Sequence, residues 1–212
     1  KFGLCLVGAL ALNAFAQANW VGQELKTSFS NKRIDGFDFS KAKAVKNATD
    51  FRRATGDGVK FEGASLPEVS FQNAVISNAT FEKANLQKVI ISGADIRNSS
   101  FEAANMEGAN LYRATLLGSQ FPEANLKNAR LDAMKVDENT SFKEADLTMA
   151  SVIDVDLTGA DFRKANLTNA NFSRSLMAGA DLRKAKVVKT DFTGCNLIAA
   201  NLKGLDIVDV NF

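Results

Sequence analysis

The chain has 212 residues, 46% of them hydrophobic, enough for one domain with a continuous core. Its formal net charge of +2 gives no global argument for binding nucleic acid or for an acidic imitation of it. There is no histidine, which excludes Ser-His-Asp, Cys-His and zinc–histidine schemes, and the two cysteines, Cys5 and Cys195, match no metal-ligand spacing.

The N-terminal segment differs in kind from the rest. Lys1 precedes an apolar run from Leu4 to Leu12, and Ala16-Gln17-Ala18 follows with small residues at the spacing a signal peptidase reads. Residues 1–18 are therefore expected to be a cleavable export signal. Two alternatives are a retained short membrane anchor, although the run falls short of the ~20 residues that span a bilayer, and a helical cap packed on the domain. Membrane contact is expected only if this segment is retained. Residues 19–48 are expected to be an N-terminal cap with degenerate repeats: Trp20 and the stretch near Asn31–Asp38 cover the first coil, and Ile34 and Phe39 read as early repeats.

From residue 49 onward a period of five governs the chain. Bulky apolar residues recur at Phe61, Leu66, Phe71, Ile76, Phe81 and on to Val136, and again from Phe142 to Phe212 after one inserted residue within Asp137–Ser141. Two residues before these centres the chain carries Ala 18 times, with mostly Ser, Thr, Cys or Val elsewhere. Just before it stands Asp or Asn in 16 of the 31 repeats, short side chains suited to bonding their own turn backbone rather than a metal. Neither a helix nor a strand has this period. Alternating one large and one small inward residue suits the four sides of a narrow tube. Four repeats make 20 residues, so Phe61, Phe81, Phe101 and Phe121 are expected to stack, with the insertion absorbed as a corner bulge before Phe142 and Phe162. Phe51, Phe71, Ile91 and Leu111 begin a second column.

Ala165-Asn166-Leu167-Thr168-Asn169 matches the A-(D/N)-L-x-x consensus, and over residues 49–212 the chain resembles the pentapeptide-repeat family. That resemblance implies an all-β fold, a right-handed quadrilateral β-helix of about eight four-repeat coils. It also implies a non-catalytic role, since members act as interaction proteins. Exported members occur in bacterial periplasms and in the thylakoid lumen, so the resemblance, with the N-terminal signal, implies either of these extracytoplasmic compartments. Some members protect or inhibit gyrase by DNA mimicry, which is the alternative function.

Any function must lie on the outward faces. After each centre of the first Phe column the chain carries Glu62, Glu82 and Glu102, with Glu123 at the next level; these form an acidic column. The later levels carry Lys143, Arg163, Arg183 and Lys203, thickened by Lys164 and Lys184, while Lys83 and Glu144 blur the middle. Segregated like charges repel unless something matches them. The functional reading is a docking face for a protein partner or a membrane complex; the plain one is a solvated face of a soluble rod. In the last coil, Leu205, Ile207, Val210 and Phe212 leave an apolar end expected to be covered by a second copy or a partner. Cys195 is expected to be a buried, inert thiol, and Ser and Thr lack a partnering base, so no enzyme, cofactor or metal site is expected. Because mimicry needs a strongly negative surface and half of this face is basic, the residues favour an interaction rod over a gyrase ligand.

Overall fold

The computed structural model describes residues 19–212; the segment read as an export signal or anchor lies outside the described residues. Each five-residue repeat forms one side and one corner of a square coil. In the repeat around Phe61, Phe61 and Ala64 point inward and are fully buried, and Ala64 N–H donates to Phe61 C=O at 3.0 Å across the corner. That turn requires a positive φ at its third residue, which Gly63 supplies here (φ 61°). At most other corners a non-glycine residue such as Lys83 (φ 55°) or Ala103 (φ 53°) takes it on. As expected, the Asp or Asn before the centre caps this turn: Arg163 N–H donates to Asp161 Oδ1 at 3.0 Å and Thr168 N–H to Asn166 Oδ1 at 3.2 Å.

Every coil pairs in parallel with the next. Among the described residues the longer pairings are β1 (Glu24–Leu25) with β2 (Lys43–Ala44), β3 (Thr55–Asp57) with β4 (Val75–Ser77) and β5 (Asp95–Arg97), and β6 (Lys186–Val188) with β7 (Asp206–Val208). Elsewhere the ladder is built from single bridges. The resulting structure is the all-β quadrilateral β-helix the repeat predicts. Its core is a pile of rings: Phe39, Phe61, Phe81, Phe101, Phe121, Phe142 and Phe162 stack face to face at 4.7–5.2 Å between centroids.

Residues 49–212 supply the eight coils expected of them, and the rod continues beyond these toward the N-terminus. Asn19, Asp38, Lys60, Thr80, Ser100, Gln120, Ser141, Asp161, Asp181 and Asn201 lie above one another in one continuous ladder. Ten levels at the usual inter-strand spacing make a rod about 43 Å long. Residues 19–48 are thus coil, with the beat hidden by two length changes. Glu24 and Ser28 bridge to Lys43 and Asp50, so one residue is missing in the first coil and two are added within Val45–Thr49. Thr49 closes that longer corner: its hydroxyl accepts from Val45 N–H at 2.9 Å and donates to Leu25 C=O at 2.5 Å. The Asn31–Asp38 stretch covers nothing; it lies in the ladder, with Arg33 bridged to Thr55 and Gly36 N–H bonded to Asp57 C=O. Trp20 is the residue that sits over the ring pile, 6.4 Å from Phe39 and edge-on to Phe29 at 5.4 Å.

The insertion near 137–141 is a corner bulge. Lys135 and Ser141 keep their bridges to Thr115 and Gln120, so the extra residue is confined between them. Asp137 organises it, accepting from Asn139 N–H at 3.1 Å, from the Thr140 hydroxyl at 3.1 Å and from Gly118 N–H of the coil beneath at 3.0 Å.

Candidate docking face

The columns read from the sequence fall on one corner of the rod. Glu62, Glu82, Glu102, Pro122, Lys143, Arg163, Arg183 and Lys203 occupy equivalent places in eight successive levels, each two residues past a bridged residue. Their carbonyls accept from the turn residue one level below: Lys83 N–H to Glu102 C=O at 2.9 Å, Glu123 N–H to Lys143 C=O at 3.0 Å, Lys164 N–H to Arg183 C=O at 3.0 Å and Lys184 N–H to Lys203 C=O at 3.1 Å. The side chains are thereby held in register about one strand spacing apart. Glu123, Lys164 and Lys184 belong to the adjacent column of positive-φ turn residues, with Lys83 and Glu144.

The two halves of this face differ in more than sign. Among the described residues Glu62, Glu82, Glu102 and Glu123 make no ion pair, so the acidic column is uncompensated. The basic half is partly neutralised. Arg163 grips Asp161 with two bonds of 2.9 and 2.7 Å, Arg183 grips Asp181 at 2.9 and 2.6 Å, and Lys164 Nζ reaches Glu144 at 3.0 Å. Partial burial pushes the Asp161 carboxyl up, but the Arg163 side chain and backbone N–H outweigh it and hold it below the ordinary carboxylate range. The Arg183 hydrogen bond does the same for Asp181, and Lys164 holds Glu144 down. Six cations, Lys143, Arg163, Lys164, Arg183, Lys184 and Lys203, stand against three carboxylates, so the half stays positive.

Asp161 and Asp181 are the residues that reading by column missed. Their signal is an Asp two residues before an Arg, which puts both on the same outward side of one centre. The same clip recurs as Asp50–Arg52 (2.8 Å) and Asp95–Arg97 (2.6 Å).

At the C-terminal end Ile207 and Phe212 are 52% and 71% exposed, while Leu205 and Val210 pack half-buried against the core. Cys195 departs from expectation: it is partly exposed and not buried. Its Sγ donates to Phe172 C=O at 2.8 Å, and desolvation raises the thiol's pKa, so it stays protonated at neutral pH. Among the described residues no cluster of three or more Cys, Asp or Glu is placed to hold a metal ion. No helix among them is long and apolar enough to cross a membrane.

A family model described as "Pentapeptide repeats" matches eight copies of the repeat, over residues 57–128 and 140–212. This chain belongs to the pentapeptide-repeat family. Two solved pentapeptide-repeat structures share its fold. HetL of the cyanobacterium Nostoc sp. strain PCC 7120, involved in heterocyst differentiation regulation, is 24% identical; the match covers 93% of this chain and 88% of HetL with a TM-score of 0.59. A trypsin-treated point variant of QnrB1, a plasmid-mediated fluoroquinolone resistance protein, is 16% identical, with 92% and 89% covered and a TM-score of 0.62. At these identities the likeness is one of fold alone. Comparison with proteins of curated function finds no match.

Proposed function

We propose that this pentapeptide-repeat protein is a non-catalytic interaction rod. It acts outside the cytoplasm, in a periplasm or thylakoid lumen, and docks a protein partner or a membrane complex through its charge-segregated corner. The observation that carries this reading is the uncompensated ladder of Glu62, Glu82 and Glu102 continuous with a ladder of excess cations. Stacked like charges cost stability in the isolated molecule, and an opposing surface relieves that cost. The signal-like layout of residues 1–18 supports export. The reading extends to the C-terminal coil, where Leu205, Ile207, Val210 and Phe212 offer an apolar surface on which a second copy can seat. DNA mimicry is the weaker reading, because Lys143 to Lys203 interrupt the negative surface that imitation of phosphates requires.

The test is recovery of a stoichiometric partner from the native cell fraction with the intact protein and with R163E/R183E/K203E. Loss of the partner in the variant supports the docking face. Undiminished recovery would sink it. N-terminal sequencing of the native protein tests the compartment: a start near Asn19 means export and cleavage.

A further inference from the structure

The order of charges along the docking corner has a symmetry of its own. Taken level by level it runs Glu62, Glu82, Glu102, Pro122, Lys143, Arg163, Arg183, Lys203. Reversing it places Lys203 against Glu62, Arg183 against Glu82 and Arg163 against Glu102, with Pro122 against Lys143. Glu62, Glu82 and Glu102 each meet a cation. The pattern is therefore complementary to itself run backwards, which is what a two-fold axis does to a rod. The axis lies across the corner, between the levels of Pro122 and Lys143. Such a rotation reverses the long direction and preserves the sideways position, so the same column faces itself.

We infer that this corner pairs with a second copy of the chain, side by side and antiparallel, through six Glu–Lys and Glu–Arg contacts related by the two-fold. The inference rests on the reading of the rod as an interaction protein and names its partner. Three observations support it. The glutamates have no ion pair within their own chain among the described residues, so their charges are unmatched. Bridges of fixed register hold both ladders at one spacing, so contacts set at one level are set at all. The one-residue insertion, which would put the two halves out of step, is confined between Lys135 and Ser141, before the basic half of the column begins. Chance placement of the bulge on that corner's flat would have destroyed the match.

The contact is weak and salt-sensitive by construction. Eight levels span about 34 Å, a strip at the small end of specific interfaces. The basic half keeps only part of its charge because Asp161, Asp181 and Glu144 neutralise three of its cations. The neighbouring turn column opposes the pairing at two levels, where Lys83 meets Lys184 and Glu123 meets Glu144.

Sedimentation velocity on the full chain tests this at about 0.05 M and about 0.5 M salt, where screening differs severalfold. The expected result is a dimer at low salt and a monomer at high salt. E62K places like charges against Lys203 twice per dimer and weakens association about tenfold. The swap E62K/K203E, with the opposed charges exchanged, returns it to within about threefold of the original. Both positions are exposed, and an unchanged thermal melt shows that the variants fold. A monomer at low salt overturns the inference, as does a swap no tighter than E62K. An end-on dimer through Ile207 and Phe212 persists at high salt and in E62K, and it too overturns the side-by-side arrangement. If the chain is monomeric yet R163E/R183E/K203E loses a cellular partner, the docking proposal stands without self-pairing; if neither holds, both fall.

Discussion

The Ser175 hydroxyl stands in the mouth of the corner that begins at Val152, donating to Val152 C=O at 2.7 Å and accepting from Val155 N–H at 3.0 Å. Most corners close by a direct bond between their first and fourth residues; this one is bridged through the inward side chain of the next coil. Ser119 does the same for Ile96 and Ser99, at 3.0 and 3.2 Å. Removing such a hydroxyl strands two buried backbone groups. Ser175→Ala is expected to cost about 1–3 kcal/mol. Thr190 is different, because the Leu167 carbonyl it bonds also accepts from Ala170 N–H. Thr190→Ser keeps that bond, while Thr190→Val loses a supplementary one, at about 0.5–1.5 kcal/mol. Urea unfolding of the three variants checks the order.

The ring pile sets a second expectation. Phe101 lies between Phe81 and Phe121 at 4.7 and 4.8 Å, nearly parallel to both and fully buried. Phe101→Ala should cost about 3–5 kcal/mol, since coils locked in register cannot collapse onto the cavity. Phe101→Leu should cost clearly less, because Leu182 already occupies this column at full burial. Denaturant midpoints at equal m-value give the comparison.

Turn conformation yields a pair of opposite sign. Ala103 holds φ 53°, a left-handed conformation costing about 1–2 kcal/mol in a residue with a side chain, so Ala103→Gly is expected to stabilise by about 0.5 kcal/mol after its entropic penalty. Gly118 holds φ 68°, and a Cβ there would run into Asn98 Oδ1, so Gly118→Ala should destabilise. A shift of both melting temperatures in the same direction would contradict this account.

Acid should weaken the rod in a defined window. Burial raises the carboxyls of Asp132, Asp146 and Asp161, but this is outweighed by Ser151 and Arg130 at Asp132, by Thr148 and Lys127 at Asp146, and by Arg163 at Asp161; all three lie below the ordinary range. A folded pKa below the unfolded one contributes stability above the unfolded value, about 3.9, and loses it as pH falls through the folded value. Stability should therefore be level from about pH 5.5 to 8, since there is no histidine to titrate, and decline below about pH 4.5. Thermal unfolding across this range is the measurement; a loss of stability between pH 7 and 6 would contradict it.

What the sequence made legible was whatever repeats. Phe61, Phe81 and Phe101 identify their column because burial selects one residue type at one spacing. The first two coils were obscured because Thr49 and a shortened corner move the beat off five without moving the ladder. Asp161 and Asp181 were hidden for another reason: each carboxylate serves two purposes, capping its turn and holding an arginine, and only the first shows in a column-wise reading. The Ser175 bridge was invisible, since serine at a small inward position looks like any substitute for alanine.

The bulge organised by Asp137 adds one residue at a corner and leaves every later level aligned with those before it. The chain thus behaves like a message read in fives that carries a frameshift and its own correction at the same spot. Corners can absorb letters without changing the text, whereas the sides cannot. Change in such a protein is accordingly free to come either in one or two residues at its corners or in whole coils.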